Sequence, residues 1–210
     1  KSENKFGVNS QTFYELVNYC KNSKNMKLQC LSVHIGSQIL DHKPYERMLK
    51  VVSNIITKTK HKFEFVDLGG GMGISYNRKI KKLNYKKYNS AIKNFLIKHD
   101  TKIIFEPGRS IIGNTGTLIS KIIYIKNSER KNFLIVDGAM NDFIRPTLYN
   151  AHHNIEPLIK SKNKELEYDV VGPICETGDY FIKDLKLNQP MEGQFLAIFS
   201  TGAYGSVMSL

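Results

Sequence analysis

The sequence predicts two architectures in series, a parallel α/β segment up to about residue 110 and a mostly β segment beyond it. Two observations carry this. Before residue 110, helix-length periods alternate with short apolar runs, whereas afterwards short β-branched or aromatic runs follow one another between polar, Gly or Pro turns. With 210 residues, 41% of them hydrophobic, the chain can bury a sizeable core as one or two domains.

In chain order, Ser10 to Lys24 reads as a helix, "LSVHIG" as a strand, Pro44 to Lys60 as a helix, "FEFVDL" as a strand, Tyr85 to His99 as a helix and "KIIFE" as a strand. That is βα repetition. Each strand-like run ends in a polar or glycine-rich tip: "HIGSQ", "DLGGGMGI" and "EPGR". Parallel α/β folds bind ligands at the carboxyl ends of their strands, so the three tips point to one shared site. The strand-like runs of the second half are "TLISKIIYIKN", "KNFLIVDGAM", "YDVVGPICETGD" and "GQFLAIFSTGAYG", and the charged "KSKNKELE" reads as a surface loop.

The glycines of "DLGGGMGI" can adopt positive φ and bring backbone N–H groups close to an anion, with a phosphate as the obvious guest. Glycine triplets also mark ordinary tight loops, and "EPGR" reads equally well as a turn with a surface ion pair. Arg145 and Tyr149 in "RPTLY" lie four positions apart, close enough to converge on one anion if the segment is helical.

Composition excludes several classes. The net charge of +12 comes from lysines scattered through every segment without a recognised nucleic-acid motif, so it reads as a solvated basic surface rather than a nucleic-acid interface. No run of about 18 apolar residues and no apolar signal core is visible, so neither a membrane partner nor secretion is expected. Cys20, Cys30 and Cys175 are odd in number and lack metal-ligand spacing, which suits a reducing cytoplasm and no metal.

In order along the chain, "HIGSQ", "DLGGGMGISY", "EPGRSIIGNTG", "DGAMNDFIRPTLY", "VVGPICETGD" and "STGAYG" resemble the motifs of the diaminopimelate decarboxylases, pyridoxal 5'-phosphate enzymes of the alanine-racemase-like fold. The set "RPTLY" plus "CETGD" is more specific to this branch than any motif shared with ornithine or arginine decarboxylases. The resemblance implies the C-terminal portion of a TIM barrel over residues 1–112 and a β-rich domain over 113–210. It also implies decarboxylation of meso-2,6-diaminopimelate to L-lysine and CO2 by a cytoplasmic homodimer with shared sites.

Carried over residue by residue, the resemblance implies that His34 stacks on the pyridine ring. Ser37, the Gly71 backbone and the backbone of Glu106, Pro107, Gly108 and Arg109 hold the phosphate and ring, while the Glu106 carboxylate pairs with the ring nitrogen. Arg109, Arg145 and Tyr149 receive substrate, with the Arg145 fork suited to the distal carboxylate and Glu176 to the distal ammonium. Cys175 donates a proton in the partner's site, and Tyr204 touches phosphate and substrate. The competing readings are a core histidine for His34, a mutual ion pair for Glu106 and Arg109, a surface position for Arg145, a buried structural thiol for Cys175 and a core aromatic for Tyr204.

The chain departs from the family at Thr177, where serine is common, and in lacking the cofactor-binding lysine, which the family carries on an earlier barrel strand. A complete barrel needs about 250 residues. The chain also begins at Lys1 and ends at "VMSL". The expectation is therefore a portion of a longer enzyme, with a decarboxylase of another basic amino acid or a non-catalytic paralogue as the alternatives.

Overall fold

The computed structural model describes residues 5–77 and 82–210. These form two compact units, 5–73 with 82–107 and 74–77 with 108–210. The division thus falls five residues before the expected end of the barrel portion at 112, and 74–77 joins the second unit.

In the first unit α1 (Ser10–Asn22) begins where the Asn9 side chain accepts the Thr12 N–H at 2.9 Å. Helix α2 (Lys43–Thr59) has Pro44 in its first turn and closes on Lys60 in the left-handed region. Its Tyr45, Met48, Leu49 and Val52 recur at helical spacing and are all buried. Helix α3 (Tyr85–Lys98) is capped by Asn84, which accepts the Lys87 N–H at 3.1 Å, and buries Tyr88, Ile92 and Phe95. These faces cover a parallel sheet in the order β1 (Cys30–Ser32), β2 (Phe65–Asp67), β3 (Lys102–Ile104). Its register aligns Ser32 with Asp67 and Asp67 with Ile104. His34, Gly69 and Glu106 therefore all lie two residues beyond the same level of the sheet.

The second unit starts with the short helix α4 (Arg109–Ile112) and is built on six strands: β4 (Thr117–Asn127), β5 (Asn132–Val136), β6 (Ile155–Pro157), β7 (Glu165–Val171), β8 (Tyr180–Asn188) and β9 (Phe195–Phe199). Their order is β6-β9-β4-β5-β7-β8, antiparallel except for the parallel β5–β7 pair. The 11-residue β4 bulges between Ile122 and Tyr124, pairing with β9 through its first half and β5 through its second. Ile122, Leu134, Phe143, Tyr168, Val170, Phe181, Leu196 and Ile198 form its core.

The loop expected at "KSKNKELE" is a loop only in part, because Glu165–Glu167 already belong to β7 and pair with β8. Strand β8 itself escapes the pattern reading. Lys183, Asp184 and Lys186 break its apolar alternation, although Phe181 and Leu187 still face the core. Helix α5 (Arg145–Tyr149) makes the "RPTLY" segment helical, starting with Pro146 in its first turn and closing on Asn150 in the left-handed region.

Candidate active site

At the strand tips of the first unit, the glycine loop is shaped by its neighbours. Gly69 has φ +63°, and a Cβ there would lie 2.6 Å from the Val33 carbonyl oxygen and 2.8 Å from His34 Nδ1. A Cβ on Gly70 would run into the Glu106 carbonyl oxygen, and one on Gly71 (φ +85°) into that of Gly36. Two of the three N–H groups expected to face an anion are committed internally: Gly69 donates to Asp67 Oδ1 at 2.8 Å and Gly70 to His34 Nδ1 at 3.3 Å. Gly71 N–H has no acceptor among the described residues, which leaves it as the donor available to a ligand. Gly69→Ala should cost roughly 1–3 kcal/mol through strain and crowding, read by denaturant unfolding; an unchanged midpoint would contradict the packing role.

His34 and Glu106 are exposed beside this loop, so His34 is no core histidine. Its bond from Gly70 fixes the ring orientation. The Glu106 carboxylate has no ion pair among the described residues, against the alternative of a salt bridge with its neighbour. Ser37 is exposed on the "HIGSQ" tip, and Pro107 is half-buried next to Glu106.

In the second unit two arginines meet three tyrosines. The Arg109 guanidinium lies over the Tyr204 ring at 5.2 Å and over Tyr76 at 5.6 Å, and its Nη1 donates to the Tyr76 hydroxyl. The Arg145 guanidinium lies over Tyr76 at 5.8 Å and over Tyr149, one helical turn on, at 5.6 Å. Arg145 is only 6% exposed, so it is not a surface arginine. It has no carboxylate partner, and its Nε has no hydrogen-bond acceptor among the described residues. Burial pushes its pKa down, and nearby Arg109 adds to that. Tyr204 is 42% exposed, hence no core aromatic, and its hydroxyl lies close to Gly108.

Below this cluster is His153, fully buried, edge-on to Tyr76 (centroids 4.9 Å) and to Phe143 (4.7 Å). Its Nδ1–H donates to the Phe199 carbonyl at 2.9 Å. Burial lowers its pKa from 6.5 to about 4. Because the unfolded chain takes up a proton between these values and the folded chain does not, stability is complete above pH 6.5 and falls as pH drops, by roughly 3 kcal/mol at pH 4. Urea unfolding at pH 7 and pH 4.5 checks this: His153→Asn should flatten the decline, and equal slopes in parent and variant would refute it.

The "CETGD" loop follows β7. Cys175 and Glu176 are both exposed, so Cys175 is not a buried structural thiol. Buried Asp179 organises the loop, accepting from Ile174 N–H and Met140 N–H, each at 2.7 Å. Thr147 Oγ1 donates to the Gly178 carbonyl and Tyr180 OH to that of Pro146 at 3.3 Å, tying the loop to α5. Tyr76, His153 and Asp179 were not singled out from sequence; Tyr76 ends the quoted "DLGGGMGISY" and Asp179 the quoted "CETGD", while nothing local marks His153. A groove of about 590 Å³ between α2 and α3, lined by Leu49, Phe95, Lys50 and Lys98 among others, lies away from the strand tips and contains none of these residues.

A parallel α/β unit with glycine-rich strand tips, followed in the chain by a six-stranded sheet unit with an arginine–tyrosine cluster on its helices and loops, suits the class of α/β enzymes that take anionic ligands. Within that class the chain belongs to the pyridoxal-dependent decarboxylases: residues 14–202 match the family described as "Pyridoxal-dependent decarboxylase, C-terminal sheet domain". It is 41% identical over 210 residues to the diaminopimelate decarboxylase of Aquifex aeolicus, covering 99% of this chain and 50% of that protein. To the diaminopimelate decarboxylase of Zymomonas mobilis it is 38% identical over 213 residues, covering 100% of this chain and 50% of that protein. The crystal structure of Helicobacter pylori diaminopimelate decarboxylase complexed with L-lysine superposes with a TM-score of 0.92 at 39% identity, over 99% of this chain and 52% of that one. The chain thus spans about half the length of the curated relatives it matches. The fold is that of the corresponding half of this family, barrel portion followed by sheet domain.

The residues present fit the family's cofactor. The uncommitted Gly71 N–H beside a cradle that any Cβ would fill suits a phosphate oxygen, and the oriented His34 ring suits an aromatic partner.

Proposed function

We propose that the full-length protein carrying this chain decarboxylates meso-2,6-diaminopimelate to L-lysine and CO2, a lysine-forming step, as a cytoplasmic homodimer. Buried Arg145, without a carboxylate partner among the described residues, is the observation that carries the reading. An unpaired buried cation is costly unless an anion meets it. Diaminopimelate has a carboxylate at its distal end, where ornithine has only an ammonium. The L-lysine in the Helicobacter pylori relative's structure is the product of the same reaction.

Bound pyridoxal 5'-phosphate supplies an electron sink for the electrons left behind as CO2 departs. In this reading His34 packs on its ring, and Ser37, the Gly71 N–H and the backbone of Glu106 to Arg109 hold ring and phosphate. The Glu106 carboxylate keeps a proton on the ring nitrogen. Arg145 and Tyr149 take the substrate's distal carboxylate, Arg109 and Tyr204 help hold the substrate, and Glu176 takes its distal ammonium. Cys175 Sγ–H delivers a proton to the carbon that lost its carboxylate in the partner's site.

Loading the purified full-length protein with cofactor and measuring CO2 release from meso-diaminopimelate, L-ornithine and L-arginine tests this. Diaminopimelate should lead in kcat/KM by about a hundredfold or more. A preference for ornithine or arginine would move the chain to the runner-up activity, and no release from any substrate would favour the non-catalytic alternative.

A further inference from the structure

Tyr76 and His153 have no part in the reading above, yet the two arginines are organised around them. Among the described residues Tyr76 is the one ring over which both guanidiniums lie, at 5.6 and 5.8 Å, and its hydroxyl accepts from Arg109. Two like charges drawn together repel, and a shared π face with a phenol oxygen offsets part of that repulsion while restricting two otherwise rotamer-rich side chains. His153 holds Tyr76 in turn. Its ring is wedged edge-on between Tyr76 and the core residue Phe143, and its Nδ1–H bond to Phe199 ties it to β9.

The geometry points to Tyr76 and His153 as positioning residues that set where Arg145 presents its guanidinium to the substrate's distal carboxylate and where Arg109 lies beside it to help hold the substrate. This rests on the assignment of Arg145 as the carboxylate receptor. The wedge is an imidazole that stays neutral at physiological pH, held so by burial, and therefore adds no third positive charge beside the arginines. Its length and two ring edges bridge from the core to Tyr76, and its single committed donor prevents rotation. An aliphatic side chain could fill the volume without locking the angle.

The full-length, cofactor-loaded protein tests this with two readouts: steady-state turnover of meso-diaminopimelate, and calorimetric binding of pimelate, a dicarboxylate without amino groups. Tyr76→Leu should raise KM and the pimelate Kd by about tenfold or more with kcat within about twofold, and Tyr76→Phe, which keeps the ring, should recover most of the loss. His153→Leu should raise both constants by about three- to tenfold, and His153→Asn, whose carboxamide N–H can replace Nδ1–H, should restore part of it. In an Arg145→Met background His153→Leu should cost clearly less than it does alone, because the share of its effect that passes through Arg145 is already lost.

A fall in kcat with KM and pimelate binding unchanged would mark a folding role and overturn the proposal. So would full additivity with Arg145→Met. If Arg145→Met damages recognition while Tyr76→Leu and His153→Leu are silent, only the positioning inference falls; if Arg145→Met itself is silent, the receptor reading falls first.

Discussion

Arg145→Met in the full-length protein should lower kcat/KM for meso-diaminopimelate by about ten- to more than a hundredfold, the equivalent of roughly 1.5–3 kcal/mol for one charge-assisted contact made in a desolvated site. Methionine keeps most of the length and apolar packing of the stem. Because Arg145 is 6% exposed with no carboxylate partner among the described residues, its removal also relieves the cost of burying a charge. Thermal stability should therefore hold or rise while activity falls. That opposition separates a recognition residue from a structural one: a variant that loses stability and activity together, or turns over diaminopimelate as well as the parent, would remove Arg145 from its assigned role.

Cys175→Ala and Glu106→Gln should each leave a nearly inactive homodimer, and mixing the two should restore activity to about a quarter of the parent's. In the proposed mechanism the first variant lacks the proton donor and the second the carboxylate that serves the ring nitrogen. If the exposed "CETGD" loop acts across a two-fold interface, a heterodimer has one site with both defects and one with neither. Random reassortment makes half the dimers mixed, each with one competent site, which yields the quarter. No recovery after demonstrated subunit exchange would mean that the loop serves its own chain.

Much of the fold was legible because its signals are local. The buried spacing of Tyr45, Met48, Leu49 and Val52 announces α2, and the β-branched run from Thr117 to Asn127 coincides with β4. Strand β8 was hidden because the charged Lys183, Asp184 and Lys186 interrupt its apolar run, although Phe181 and Leu187 are buried and Ile182 and Leu185 pack against the same core. The glycine triplet was found for a reason only partly its own: Gly69 and Gly70 are glycines chiefly because neighbouring strand tips leave no room for Cβ, and only the third keeps an N–H to offer. Tyr76 and His153 could not be read at all. Neither belongs to a periodic run, and their meaning lies in ring contacts between segments far apart along the chain.

The two hydrogen bonds that tie α5 to the "CETGD" loop make these segments a single inheritable block. Thr147 grips Gly178, Tyr180 grips Pro146, and Asp179 gathers the backbone on the other side. An evolutionary path that retunes the "RPTLY" helix for a different amino acid drags the thiol-bearing loop with it. Grafting a new specificity onto this scaffold would succeed by exchanging residues 145–149 and 174–180 together, and would stall if the helix were exchanged alone.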